Sequence, residues 1–161
     1  MSVIGIIHTV LSLFPIMIAI ALLLQQGHIN PHSKPGVWYS LTTLATVASS
    51  FAIMKTGQLS DGHFLGIFIL VLLTLAYLLP GLPALQKSGP AIERFMMSTS
   101  FFLMFVPATV ETLSRFPLDA PLAPNGPESP LVKQILGIFF LLYLAGLYWQ
   151  YKQLKHSAVK A

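Results

Sequence analysis

The chain of 161 residues has 55% hydrophobic side chains, only 9% charged ones and a net charge of +4. A soluble domain carries roughly 25% charged residues, so a chain with a mean hydropathy of +0.75 lacks the polar surface to cover itself and belongs in a bilayer. The absence of cysteine further excludes disulfides, thiol chemistry, iron–sulfur clusters and haem attached through Cys.

A helix needs about 20 mostly apolar residues to cross the hydrocarbon core. Five stretches meet that expectation: Val3 to Leu24, Val37 to Met54, Phe64 to Leu82, Phe95 to Leu113 and Gln134 to Tyr151. The first begins without the basic residues of a secretory signal and is expected to be a retained helix. The breaks carry turn residues: Pro31 and Pro35 in the first, Ser60, Asp61 and Gly62 in the second, and Ser88 and Gly89 in the third. The fourth break holds Pro117, Pro121, Pro124, Pro127 and Pro130, which together forbid a continuous helix. Runs such as Leu65 to Leu73 do not alternate apolar and polar residues, which argues against barrel strands. The sequence has no internal repeat and reads as one domain over residues 1–161, an all-α polytopic membrane helical bundle with five transmembrane helices.

Five spans place the two termini on opposite faces. Lys34, Lys87, Arg94, Lys152, Lys155 and Lys160 gather on one face, and Lys55, Arg115 and Lys133 on the other. Basic residues resist translocation, so the expected orientation is N-terminus out and C-terminus in. Trp38, Tyr39, Tyr148, Trp149 and Tyr151 are then aromatic anchors at the cytoplasmic interface. The basic pI near 9.5 is accounted for by lysines beside anionic headgroups, and nucleic acid is not expected as a partner. The expected partners are the lipid bilayer and a membrane-protein partner or a second copy of the chain.

Ionisable groups near hydrocarbon mark the places to search for function. His8 lies about one and a half turns inside the first helix, His63 opens the third directly after Asp61, and Glu111 and Arg115 close the fourth. All fall on the outer side, so His8, Asp61, His63, Glu111 and Arg115 form a candidate ligand-binding layer. Its two imidazoles and two carboxylates suit a divalent metal, with His8 and His63 as ligands, or the two imidazoles suit a b-type haem. Structural readings stand beside these. Ser60 is a good N-cap with Asp61 favoured in the first turn, Glu111 and Arg115 have the i to i+4 spacing of an ion pair, and His8 can bond a hydroxyl on a neighbouring helix.

His28 and His32 read as a solvated loop, and Met96, Met97 and Met104 as packing. Pro15, Pro80, Pro83 and Pro107 read as kinks that neighbouring side chains repair. The second helix, with Thr42, Thr43, Thr46, Ser49 and Ser50 among Ala45, Ala48 and Ala52, is expected at the centre of the bundle, because small residues permit close approach. There is no nucleophile triad, zincin motif, phosphate loop or dinucleotide fingerprint.

Several stretches resemble a group of small bacterial predicted membrane proteins of unknown function. They are His8-Thr9, Ser49-Ser50-Phe51, Gly57-Gln58-Leu59-Ser60-Asp61-Gly62-His63-Phe64-Leu65-Gly66, and Pro107-Ala108-Thr109-Val110-Glu111-Thr112-Leu113-Ser114-Arg115-Phe116-Pro117. The resemblance implies a helical bundle in a bacterial inner membrane and carries no activity with it. A weaker likeness to b561-type cytochromes departs at the essential point, since no span here holds two histidines. The reading is a non-catalytic membrane protein, an accessory subunit or small-ligand binder. The alternatives are a redox protein binding haem or metal through His8 and His63, and a small transporter or proton path using Glu111 and His8.

Overall fold

The structure is a computed structural model that describes residues 3–53, 58–117 and 119–159, with side chains through residue 156. Five helices form in chain order: α1 Val3–Gln26, α2 Lys34–Phe51, α3 Asp61–Leu78, α4 Gly89–Arg115 and α5 Pro130–Val159. No strand occurs among the described residues. Met54, Lys55 and Lys160, which figure in the span and charge assignments above, and Gly57 of the resembling stretches lie outside the described residues.

Local chemistry sets the boundaries. α1 closes where Gly27 takes a φ of +74° and donates its N–H to the Leu23 carbonyl, a left-handed cap that favours glycine. α2 starts earlier than hydropathy suggests, because the Ser33 hydroxyl accepts from the Gly36 N–H at 3.1 Å with Pro35 in the first turn. A Cβ on Gly36 would lie 1.8 Å from the Asn30 carbonyl oxygen, so the loop folds back over a position that only glycine fits. α3 begins at Asp61, after Ser60, and ends before Pro80, where two short 3-10 turns, Leu79–Gly81 and Pro83–Leu85, carry the chain on. α5 extends at both ends of its apolar core, from Pro130 to Val159.

Four helices, α1, α3 with its 3-10 extension, α4 and α5, are long and apolar enough to cross a membrane, which makes this a multi-pass membrane protein. Their outer faces leave large apolar side chains exposed, including Phe14, Met17, Phe68, Leu141 and Leu142, as a lipid-facing surface requires. α2 is the exception. Its 18 residues reach about 27 Å, slightly less than the hydrocarbon core, and hydroxyls dilute its apolar character.

The expectation that α2 forms the centre of the bundle is corrected. α4 holds that place, packed against α3 on one side and α5 on the other. α2 packs chiefly on α1 and reaches α4 through Tyr39, whose hydroxyl bonds Ser100 at 2.8 Å in a fully buried setting. Within α2 the buried stripe is Gly36, Tyr39, Thr43, Thr46 and Val47, whereas Ala45, Ala48 and Ala52 are exposed. The core joins Ala19 and Leu22 of α1, Tyr39 of α2, Ile69, Leu73 and Ala76 of α3, and Met97 and Met104 of α4.

The two ends of the bundle differ in chemistry. One end gathers the α1–α2 loop, the end of α3, the start of α4 and the end of α5. There Tyr77 donates to the Pro31 carbonyl at 2.9 Å, His32 pairs with Glu93 at 3.6 Å, and Arg94 reaches Gln150 and Gln153. The other end gathers the start of α1, the end of α2, the start of α3 and the end of α4, and holds the polar layer.

Candidate functional site

Two adjacent serines near the end of α2 organise the layer. Ser49 Oγ donates to the Thr46 carbonyl at 2.7 Å and lies 2.8 Å from His8 Nδ1. A hydroxyl has one hydrogen, and Thr46 takes it, so the His8 Nδ1–H donates to Ser49 and the lone pair of the ring sits on Nε2. Half-buried, His8 thereby ties α1 to α2.

His63 is held differently. Its Nδ1 lies 3.0 Å from the Ser60 backbone nitrogen and 2.7 Å from the Ser60 hydroxyl, and its Nε2 lies 3.1 Å from the Ser50 carbonyl oxygen. A backbone N–H can only donate and a carbonyl can only accept. Nδ1 is therefore the acceptor, and Nε2 carries the hydrogen. His63 stands at the third residue of α3 and reaches back to the N-cap, the role Glu or Gln plays in a capping box. The ring is 8% exposed and packs against Phe51 with centroids 5.1 Å apart. In effect, His63 clamps the start of α3 to the end of α2.

Glu111 and Arg115 form an i to i+4 ion pair on the last turn of α4, with side chains 57% and 45% exposed. His8 feels the charges of Glu111 and Arg115 and the ring of His63, so α1, α3 and α4 place these four groups at the same end of the bundle. Asp61 is exposed in the first turn of α3, where the helix dipole favours its charge.

Among the described residues no three His, Asp or Glu side chains converge as a metal site. No hydrogen bond joins any two of His8, His63 and Glu111 among the described residues. Both ring nitrogens of His63 are engaged, so ligation of a metal or haem by His63 would break either the cap on α3 or the bond to Ser50. The chemistry available is hydrogen bonding from His8 and charge recognition by the exposed Glu111–Arg115 pair.

Ser49 and Ser50 were legible in sequence as small helix-packing residues, but not as the partners of the two histidines. At the opposite end the sequence reading missed a second polar cluster. Ser98 donates to Gln150 Oε1 at 3.1 Å in a buried setting, and Arg94 donates to the Gln150 carbonyl and to Gln153 Oε1, each at 3.3 Å. Arg94 of α4 and Gln150 and Gln153 of α5 are more than fifty residues apart, so no local pattern marks them. Comparison with protein-family models, curated proteins and solved structures finds no match to this chain.

Proposed function

We propose that this is a non-catalytic membrane protein with five spans, N-terminus out and C-terminus in, which presents the outer polar layer as a recognition site for a small ligand or a membrane-protein partner. The observation that carries this reading is that α2 engages His63 Nε2 and His8 Nδ1 while Ser60 engages His63 Nδ1. The histidines act as braces between helices, and the exposed Glu111–Arg115 pair is left at the rim as the recognition element. A serine hydroxyl does lie beside each imidazole, at 2.8 Å from His8 and 2.7 Å from His63, but Ser49 already donates to the Thr46 carbonyl and His63 Nδ1 already accepts from the Ser60 N–H, so both contacts read as bracing and capping.

The fifth span is supported by the way α2 treats its hydroxyls. Ser40, Thr42, Thr43, Thr46, Ser49 and Ser50 each donate to a carbonyl three or four residues earlier in the same helix. With its donors satisfied internally, α2 is compatible with hydrocarbon. The orientation rests on the asymmetry of Lys and Arg. The resemblance to small bacterial membrane proteins supports placement in a bacterial inner membrane.

The test is an absorption spectrum and metal analysis of the protein purified in detergent. The expected result is an aromatic band alone and metal well below one equivalent. A haem band, or one equivalent of a transition metal, that disappears in His63→Ala would replace this reading with the redox one.

A further inference from the structure

The end of the bundle opposite the histidine layer holds an open cavity of about 550 Å3, lined by Gln26, His28, Arg94, Trp149, Lys152, Gln153 and His156. That volume falls within the range of about 300–1,000 Å3 typical of small-ligand sites. Its lining contains one guanidinium, one ammonium and two imidazoles, and no carboxylate. Glu93, next to Arg94 in sequence, pairs instead with His32. The described contacts of Arg94 are two bonds of 3.3 Å, both from Nη1, whereas a guanidinium carries five donors. Gln26 and Gln153 add amide groups to the lining.

The wall of the cavity is built rather than incidental. Gly27 turns the chain out of α1 so closely against α5 that a Cβ there would lie 2.4 Å from the Trp149 ring. Trp149 itself is 51% exposed, an indole of the kind that anchors at headgroup depth. Lys152 lays its ammonium over the Tyr148 ring, 5.0 Å from the centroid, as a lysine does when it reaches from apolar surface toward the interface.

We propose that this cavity binds a phosphate-bearing anion, with Arg94 and Lys152 supplying charge, the glutamine amides supplying hydrogen bonds, and His28, whose Nδ1–H is taken by the Gln26 carbonyl, donating from Nε2 once the anion draws a second proton onto the ring. Basic pockets between helices at a membrane interface suit anionic headgroups, and a guanidinium fork matches phosphate oxygens. The phosphate can belong to an anionic lipid headgroup or to a free anion. The inference is independent of the histidine layer and of which end of the bundle faces the cytoplasm.

The test uses the full chain in a neutral detergent, with thermal unfolding followed as phosphatidylglycerol, phosphatidylcholine or inorganic phosphate is added. Stabilisation by phosphatidylglycerol in excess of phosphatidylcholine, with no response to inorganic phosphate, assigns the site to a lipid headgroup. Saturable stabilisation by inorganic phosphate assigns it to a free anion. No response to either anion, or equal responses to the two lipids with none to inorganic phosphate, overturns the proposal. Lys152→Gln and Arg94→Gln should each weaken the apparent affinity about five-fold, the effect of removing one cation near an anionic surface. Because Arg94 also bridges α4 to α5, Lys152→Gln and His28→Gln, which remove no described bond between helices, keep the test decisive should Arg94→Gln fail to fold. Affinity unchanged in Lys152→Gln and His28→Gln would also overturn it.

Discussion

Replacing His63 by Ala removes the clamp between α2 and α3 while leaving the apolar faces of both helices intact. The ring accepts from the Ser60 N–H at 3.0 Å and donates to the Ser50 carbonyl at 3.1 Å. A hydrogen bond of this kind contributes about 1 kcal/mol net, with the cost rising when a buried partner is left unsatisfied. The lost contact between the 8%-exposed ring and Phe51 costs about 1 kcal/mol more, the scale of an aromatic pair. The expected destabilisation is therefore about 3 kcal/mol. At roughly 2–4 °C per kcal/mol for a chain of this size, the midpoint in detergent should fall by about 6–12 °C. His8→Ala, which loses a half-buried bond to Ser49, should fall by less than half as much. Circular dichroism would follow the transition and confirm retained helix. A His63→Ala protein that melts within about 1 °C of the parent would refute the clamp and return His63 to the pool of free ligands.

Four further outcomes follow. Gly36→Ala should be severely destabilising, by more than about 3 kcal/mol, because its Cβ would meet the Asn30 carbonyl oxygen at 1.8 Å; Ala48→Leu, on the exposed face of α2, should change stability by less than about 0.5 kcal/mol, and thermal melts of the two variants check the face assignment. Glu111→Gln removes an exposed ion pair and should likewise shift stability by under about 1 kcal/mol. Burial, reinforced by the Arg94 charge and only partly offset by the bond to the Gln26 carbonyl, holds the His28 imidazole below its ordinary value of 6.5. The unfolded chain then binds the proton first as pH falls, so stability should be full above about pH 6.5 and decline below it; His28→Gln should flatten that part of the melting profile in detergent free of anionic lipid. In the cysteine-free chain, an Asn125→Cys protein should react with an impermeant thiol reagent on intact cells and a Gln86→Cys protein should not, and the reverse labelling would invert the topology.

The helices were legible because their information is local. Apolar runs marked each element, Ser60 marked the start of α3, and the prolines between Pro117 and Pro130 marked the long break. The reading of α2 went astray for a geometric reason. At 3.6 residues per turn, Ala45, Ala48 and Ala52 form one stripe while Tyr39, Thr43, Thr46 and Val47 form another, and both look like packing faces. Only contact with Ser100 and Met104 of α4 decides between them. The histidine layer was legible as a depth, since counting spans puts His8, His63 and Glu111 at one end. The partners were not, because α2 presents six hydroxylated residues within eleven positions and only the fold selects Ser49 and Ser50. The cavity at the other end was invisible, since it joins Gln26 and His28 to Arg94 and to residues 149–156 across three helices.

Two histidines donate to α2 from opposite ring nitrogens, Nδ1 of His8 and Nε2 of His63, and the imidazole nitrogen spectrum of histidine-labelled protein in a bilayer mimic reads this directly. Assigned by loss of signal in His8→Gln and His63→Gln, the His63 signals should be those of a ring protonated at Nε2 with Nδ1 accepting, and the His8 signals those of a ring protonated at Nδ1. Both rings in the same tautomer, or both shifted together by a shared metal or haem, would contradict it.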